Sequence, residues 1–313
     1  MILHFAKNPF TRFAGIVFYN RKAILWVTFL AVAAYVLYHV LGIKGVALPV
    51  APVSISGVGL AIFLGFRNSS AYDRWWEARK VWGGIVNYSR TWGMEVTSFI
   101  HPSEKLPAHE VNEAKRVLIY RHIAWLYALA MHLRKNIDHA TLEPFLEVHD
   151  REQAKTFKNI PSQLINLQSN HVERLFQKGG MNEFKHLELN RKLEEMYNLQ
   201  GKAERIKNTV FPYYYNFFTR VFLNLFLILL PFALVDQMGW ESIPLSISIS
   251  FVFHILDKSG TITEEPFEGR AADTPMTALC RVIEIDLRQM LGEESVPEPI
   301  LPKYSRFQVA YLE

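Results

Sequence analysis

The sequence predicts an all-α membrane protein, with four transmembrane helices that run on into a charged helical bundle. Three observations predict it. Apolar residues concentrate at 23–66 and 209–256, whereas 67–208 is rich in charge. Strand signals such as strict alternation or Asn-Gly turns are almost absent. In the stretch SGVGLAIFLGFRNSSAYDRWWEARKVW (56–82), no proline or glycine separates the apolar half from the charged half between Phe66 and Trp82.

Each membrane element follows from length and polarity. A bilayer core of roughly 30 Å needs about 20 apolar helical residues. Ala23 to Ile43 meets that requirement with His39 as its only ionisable group, and it lacks the cleavage site of a signal peptide. Val46 to Phe66 is also uncharged, and Pro49 and Pro52 place the start of its helix near Pro52. Val221–Val235 and Ser242–Leu256 form a third and fourth span around the short acidic turn Asp236–Glu241, with Phe211–Phe218 leading into the third. The chain thus divides into 1–66 with spans one and two, a helical block at 67–208, spans three and four at 209–257, and a C-terminal segment at 258–313.

Basic residues orient the spans. Lys7, Arg12, Arg21 and Lys22 precede the first, Arg67, Arg74, Arg79 and Lys80 follow the second, and Lys258 follows the fourth. The opposite connections hold only Lys44. Both termini and the 67–208 block are therefore expected in the cytoplasm of a cell whose inner membrane holds the protein. The formal charge of +4 is accounted for by this topology and gives no reason to invoke nucleic acid.

The 67–208 block reads as helices at roughly 67–99, 108–136, 161–178 and 182–208, joined at Pro102–Pro107, Asp138–Glu152 and Lys178–Gly180. The C-terminal tail from about 293, with Pro297, Pro299 and Pro302, reads as extended.

Nothing in the chain spells an enzyme. No Walker loop, nucleophile elbow or HExxH is present, and GVGLAI at 57–62 lacks the third glycine of a dinucleotide loop. Cys280 is the only cysteine, so neither a disulfide framework nor a cysteine metal cluster exists. His132, His139, Glu143 and His149 do not share one helical face, and no metal site or cofactor is expected. His39 and His254 lie within spans, where ionisable groups are functional candidates. They leave open a haem-binding membrane protein, and the long cytosolic helices leave open a membrane anchor or scaffold.

The helix at 56–82 acquires two faces when read in steps of four. Gly57, Ala61 and Gly65 form a ridge of small residues suited to close helix packing. Val58, Ile62 and Phe66 lie on the adjacent face. If several copies packed through the small ridge, this face would present three apolar rings about 6 Å apart, a constriction that gates ions by dewetting. The charged aromatic sequence that follows would then form a vestibule. Its ion pairs, among Arg67, Asp73, Arg74, Glu77, Arg79 and Lys80, must be made partly with neighbouring helices.

The stretch AIFLGFRNSSAYDRWWEARKVWGGIVNYSR (61–90) resembles the signature of the bestrophin family, particularly its bacterial branch. TVFPYYY (209–215), LLPFALV (229–235) and EEPFEGRAADTPMTALCRVIEIDL (264–287) follow in the family's order. The resemblance implies a homopentameric ion channel with four spans per subunit, whose permeant species are small monovalent ions. Its three neck-facing positions match Val58, Ile62 and Phe66, and a second, cytosolic aperture matches Phe184, or Leu187 one turn on. In calcium-gated members an acidic cluster clasps Ca²⁺; here Arg270 stands at an expected carboxylate and only Asp273 keeps an acid. Ca²⁺ seeks six to eight oxygens, so calcium independence is expected. The resemblance does not choose the ion's sign, because members of both preferences exist. The acids Glu183, Glu188, Glu194 and Glu195, set against Lys185, Arg191 and Lys192, favour a monovalent cation and leave an anion channel as the alternative.

Overall fold

Helix α1 (Pro9–Tyr35) opens the membrane half and widens into a π-helical turn at Val36–Val40 before the chain reverses at Gly42 (φ 69°). The computed structural model describes residues 2–4, 9–209, 213–304 and 310–312. Lys7 and Phe211, used above, lie outside them, as do tail residues 305–309 and 313. Helix α2 spans Val50–Phe99 as a single 50-residue helix, which at 1.5 Å per residue is about 75 Å long. It begins one half-turn before Pro52. Pro49 is its extended N-cap, and a proline in the first turn loses no hydrogen bond because that N–H has no intrahelical acceptor.

Two antiparallel helices complete the membrane half. Helix α8 (Tyr213–Met238) is followed by a 3₁₀ turn at Gly239–Glu241 and then by α9 (Ser242–Thr263), which runs two turns beyond the expected end of the fourth span. Helix α8 packs on α2 and on α9. Their core holds Leu60 and Leu64 of α2 with Leu223, Phe226, Leu227 and Leu230 of α8. Helix α1 packs along α9, and small residues line this contact. Ala31 and Ala34 on one helix and Ser242, Ser246 and Ser250 on the other are all buried, so the backbones approach closely.

The charged half wraps the rest of α2. Helices α3 (Ala108–Leu133), α6 (Ile160–Gln177), α7 (Glu183–Asn208) and α10 (Met276–Met290) close around a core containing Trp82, Trp92, Trp125, Leu118 and Ile119. Two features depart from the sequence-based expectation. The expected connection at 138–152 contains α4 (His139–Leu142) and the start of α5 (Val148–Thr156); helices of one or two turns are too short to display a 3.6-residue period. Helix α10 lies in the segment read only as C-terminal, and Met276, Cys280, Ile283 and Leu287 form a regular buried stripe along it. Three strands of two or three residues, β1 (Ile2–His4), β2 (Lys303–Tyr304) and β3 (Ala310–Tyr311), pair antiparallel in the order β1-β3-β2. They bring the two ends of the chain together, at a length below which alternation carries no signal.

Two histidines in this half are held neutral. His122 is fully buried, touches Ser89 Oγ at 2.9 Å through Nε2 and lies between Trp92 and Trp125. Burial lowers its pKa to about 3. Burial, reinforced by Arg121 and Arg174, lowers His171 to about 4. The unfolded chain protonates both near pH 6.5 while the native state does not, so stability present above that pH is lost as pH falls through 6.5 toward these values. Unfolding monitored between pH 7 and 5 should show stability declining by up to about 1.4 kcal/mol per pH unit for each histidine. His122→Asn should flatten that slope by close to one proton.

Candidate functional site

The face of α2 carrying Val58, Ile62 and Phe66 is uncovered in the subunit, as are its flanks at Ile55 and Gly59. These side chains are 61%, 56% and 67% exposed in the subunit, whereas Val53, Leu60 and Leu64 on the opposite side are buried. At 1.5 Å per residue the stripe spans about 12 Å along the axis. Three apolar side chains stacked on a rigid helix, with no polar group between them, form a surface that excludes water when it faces copies of itself.

The small residues beside the stripe do not share one environment, which corrects the expectation of a single packing ridge. Gly57 is buried against α8 of the same chain, where a Cβ would come within 2.8 Å of the Phe226 ring. Ala61 is exposed, and a Cβ on Gly65 would meet nothing within 4 Å. Only Ala61 and Gly65 remain open to another chain.

Directly after Phe66 the character of the helix changes. Arg67, expected in an open vestibule, is instead 1% exposed. Its guanidinium donates to Asp257 at 2.6 Å and Thr261 at 2.7 Å, with Glu264 at 3.6 Å. Glu264 also accepts from Asn216 of α8 at 3.1 Å. The neighbouring Asn68 donates to the Leu256 carbonyl at 3.1 Å. This closeness depends on Gly260, where a Cβ would lie 2.3 Å from Asn68 Oδ1. Sequence reading missed this junction, yet a signal existed: Asp257, Thr261 and Glu264 fall on one face of the end of α9.

Beyond the junction, α7 runs antiparallel to α2, and the ion pairs expected between neighbouring helices are made there. Arg74 donates to the carbonyls of Ile206 and Thr209 (2.6 Å to the latter), capping the end of α7. Glu77 accepts from Arg205 at 2.6 Å. Lys192 lies 3.6 Å from Glu95, whose carboxyl is pushed above its ordinary pKa mainly by burial. At the far end, Lys185 and His101 meet at 3.1 Å. The start of α7 therefore sits beside the last turn of α2. Phe184 there is 83% exposed and Leu187 53%. The stripe and Phe184 occupy opposite ends of one helix, with Phe66 and Phe99 roughly 50 Å apart along α2.

The segment after α9 closes on itself. Asp273 accepts from the backbone N–H groups of Glu268 at 2.7 Å and Arg270 at 3.0 Å, and Arg270 pairs with Glu265 at 2.8 Å. Burial holds the Asp273 carboxyl above its ordinary pKa. The one acid retained from the calcium cluster is thus engaged by backbone, and a guanidinium neutralises its neighbour. The structure does not bring His39 and His254 together. His39 meets the Val235 carbonyl at 3.2 Å and Tyr35 in a ring contact near the α8–α9 turn. His254 lies about 18 Å further along α9, which removes the haem reading.

Among the described residues, helical segments long and apolar enough to cross a membrane, one of them with an uncovered apolar stripe, define a helical membrane protein. Residues 13–289 match the model of the bacterial and fungal bestrophin proteins, and the chain belongs to that family. The voltage-dependent anion channel-forming protein YneE of Escherichia coli K12 is 33% identical over 258 residues, 82% of each chain. A relative of that description from Ralstonia nicotianae is 30% identical, over 87% of this chain and 86% of its own. The crystal structure of a bacterial bestrophin homologue from Klebsiella pneumoniae superposes with a TM-score of 0.80 at 30% identity, over 87% of this chain and 98% of that one.

The junction is testable by substitution. Arg67→Met leaves Asp257 and Glu264 without their cation and should cost about 3–5 kcal/mol in thermal unfolding of the detergent-solubilised protein. Gly57→Leu should also lower the melting temperature by collision with Phe226, whereas Gly65→Leu should leave the subunit's own packing unchanged.

Proposed function

We propose that five copies of this chain surround a conduit across the bacterial inner membrane, with both termini and the 67–208 block in the cytoplasm. Small monovalent ions pass a neck formed by Val58, Ile62 and Phe66 and leave through an aperture at Phe184. The observation that carries this reading is the uncovered stripe on α2, apolar and continuous, on a helix whose opposite face is fully packed. Ala61 and Gly65, open beside the stripe, supply the close approach between neighbouring subunits. The gate is a barrier of dewetting: three apolar rings destabilise the water column that a permeant ion needs. Channel activity needs no calcium, since Asp273 and Arg270 are occupied by contacts within their own turn.

A cation is the permeant ion this geometry favours. Around the aperture, Lys192 and Arg191 are paired with Glu188. Lys185, whose contact with His101 does not offset its charge, is the one cation among the described residues there set against the exposed acids. Glu183 and Glu194 are exposed on the same helix. A second reading, anion conduction, is favoured by the anion channel-forming relatives. Reversal potentials of reconstituted protein under separate NaCl and sodium gluconate gradients decide between them: a potential that follows Na⁺ in both supports the cation, one that follows Cl⁻ overturns it. Ile62→Ala with Phe66→Ala should raise flux severalfold by wetting the neck; flux absent from wild type and variant alike would sink the channel. Chelation of calcium should leave the current unchanged.

A further inference from the structure

A cleft of about 320 Å³ opens between α3 and α6, away from the α2 stripe. Volumes of this order accommodate a small metabolite. Its floor is apolar, made by Leu106, Ala114, Val117 and Leu175, and its rim carries charges of both signs. Arg121, Arg174 and Lys178 stand against Glu110, Glu113 and Glu147, so the cleft has no net charge with which to attract a simple ion.

The charges differ in how far they are committed. Arg121 is almost fully buried and consumed by Asp150 (2.6 and 2.8 Å) and by His171 Nδ1 (3.2 Å). Lys178 pairs with Glu110 at 2.8 Å, and Arg116 takes Glu113 in a two-pronged bond of 2.6 and 3.1 Å. Among the described residues the Arg174 guanidinium bonds the Asn170 carbonyl alone, at 3.3 Å through Nε, which leaves its terminal N–H groups available. Glu147 is half exposed; it stands 4.0 Å from Arg121 and is also felt by Arg116, and no described residue holds it in a closer ion pair. Neutral His171, accepting from Arg121 at Nδ1, presents its Nε2–H as a further donor. The cleft thus offers uncommitted donors and one weakly committed carboxylate over a hydrophobic floor.

We propose that this cleft binds a small zwitterion of the α-amino acid class. The carboxylate is received by Arg174 with the His171 N–H, the ammonium by Glu147, and a short apolar side chain by the floor. The cleft also borders the turn that carries Phe184. Lys178 begins that turn, its carbonyl accepts from Ser103 Oγ at 2.6 Å, and Gly180 accepts from the His101 N–H at 2.9 Å. Gly179 has a φ of 76°, and Gly180 packs so tightly that a Cβ would come within 2.7 Å of Leu106. A ligand held by His171 and Arg174 sits on the last turns of α6, directly before this glycine turn and the Phe184 that follows it, and changes conduction through it, a consequence that rests on the channel reading above.

Calorimetric titration of the purified full-length protein with L-valine, isobutyrate and isobutylammonium tests the site. L-Valine should bind and the two single-charge probes should not. Arg174→Gln and Glu147→Gln, both at exposed positions, should each weaken binding about tenfold or more, the worth of one charge-assisted bond. Absence of heat with L-valine, equal binding of isobutyrate, or unaltered affinity in both variants overturns the proposal. In liposomes, L-valine on the cytosolic side should change ion flux through wild type and not through Arg174→Gln. Binding without any effect on flux overturns the coupling to Phe184. Silence of wild type and of the neck truncations defeats the channel reading while leaving the calorimetry to judge the cleft.

Discussion

The buried guanidinium of Arg67 is the interaction on which the rest of the architecture depends. It sits one residue after the last apolar side chain of the stripe and ties α2 to α9 through Asp257, Thr261 and Glu264. A charge removed from water is stable only when its hydrogen bonds are nearly all made, so the bond set admits little rotation of α2 about its axis. Rotating the helix by one residue would turn Val58, Ile62 and Phe66 toward α8 and bring Gly57 to the surface. The polar junction thereby decides which face of an otherwise apolar segment stays uncovered.

A continuous helix then carries that choice across the whole molecule. Because α2 has no break between Val50 and Phe99, its orientation at Arg67 is also its orientation where Arg74, Glu77 and Glu95 meet α7. The antiparallel packing of α7 returns the chain from the far end of α2 to the membrane junction, and both ends of the pair are pinned by charge. Rigid coupling of this kind holds the Val58–Phe66 stripe and Phe184 in fixed relation without any contact between them.

Much of this was legible in one dimension. The uninterrupted run from Phe66 to Trp82 and the helices at 67–99, 108–136, 161–178 and 182–208 reappear within a few residues of their expected bounds, whereas the first membrane helix starts at Pro9 rather than near Ala23 and the fourth runs on to Thr263. Patterns failed where they were short or where contact partners mattered. Helices α4 and α5 and the terminal strands are too brief to show a period. Gly57, Ala61 and Gly65 look equivalent in steps of four, yet only Gly57 meets Phe226. Arg67 reads as one more charge in a charged stretch, and nothing local announces that residues 190 and more positions away neutralise it.

The sequence by itself determined the class of structure: helical, membrane-crossing, with one long helix passing from oil to water and an apolar stripe at a four-residue interval. Local periodicity and hydropathy suffice for that, because backbone hydrogen bonds in a bilayer must be satisfied within each segment. Only the tertiary structure decided which side of that helix is buried, which small residues are already taken and which charges are spent. Those outcomes arise from the packing of α8, α9 and α7 against α2, and from the cost of leaving a buried charge without partners in the chain's distant parts.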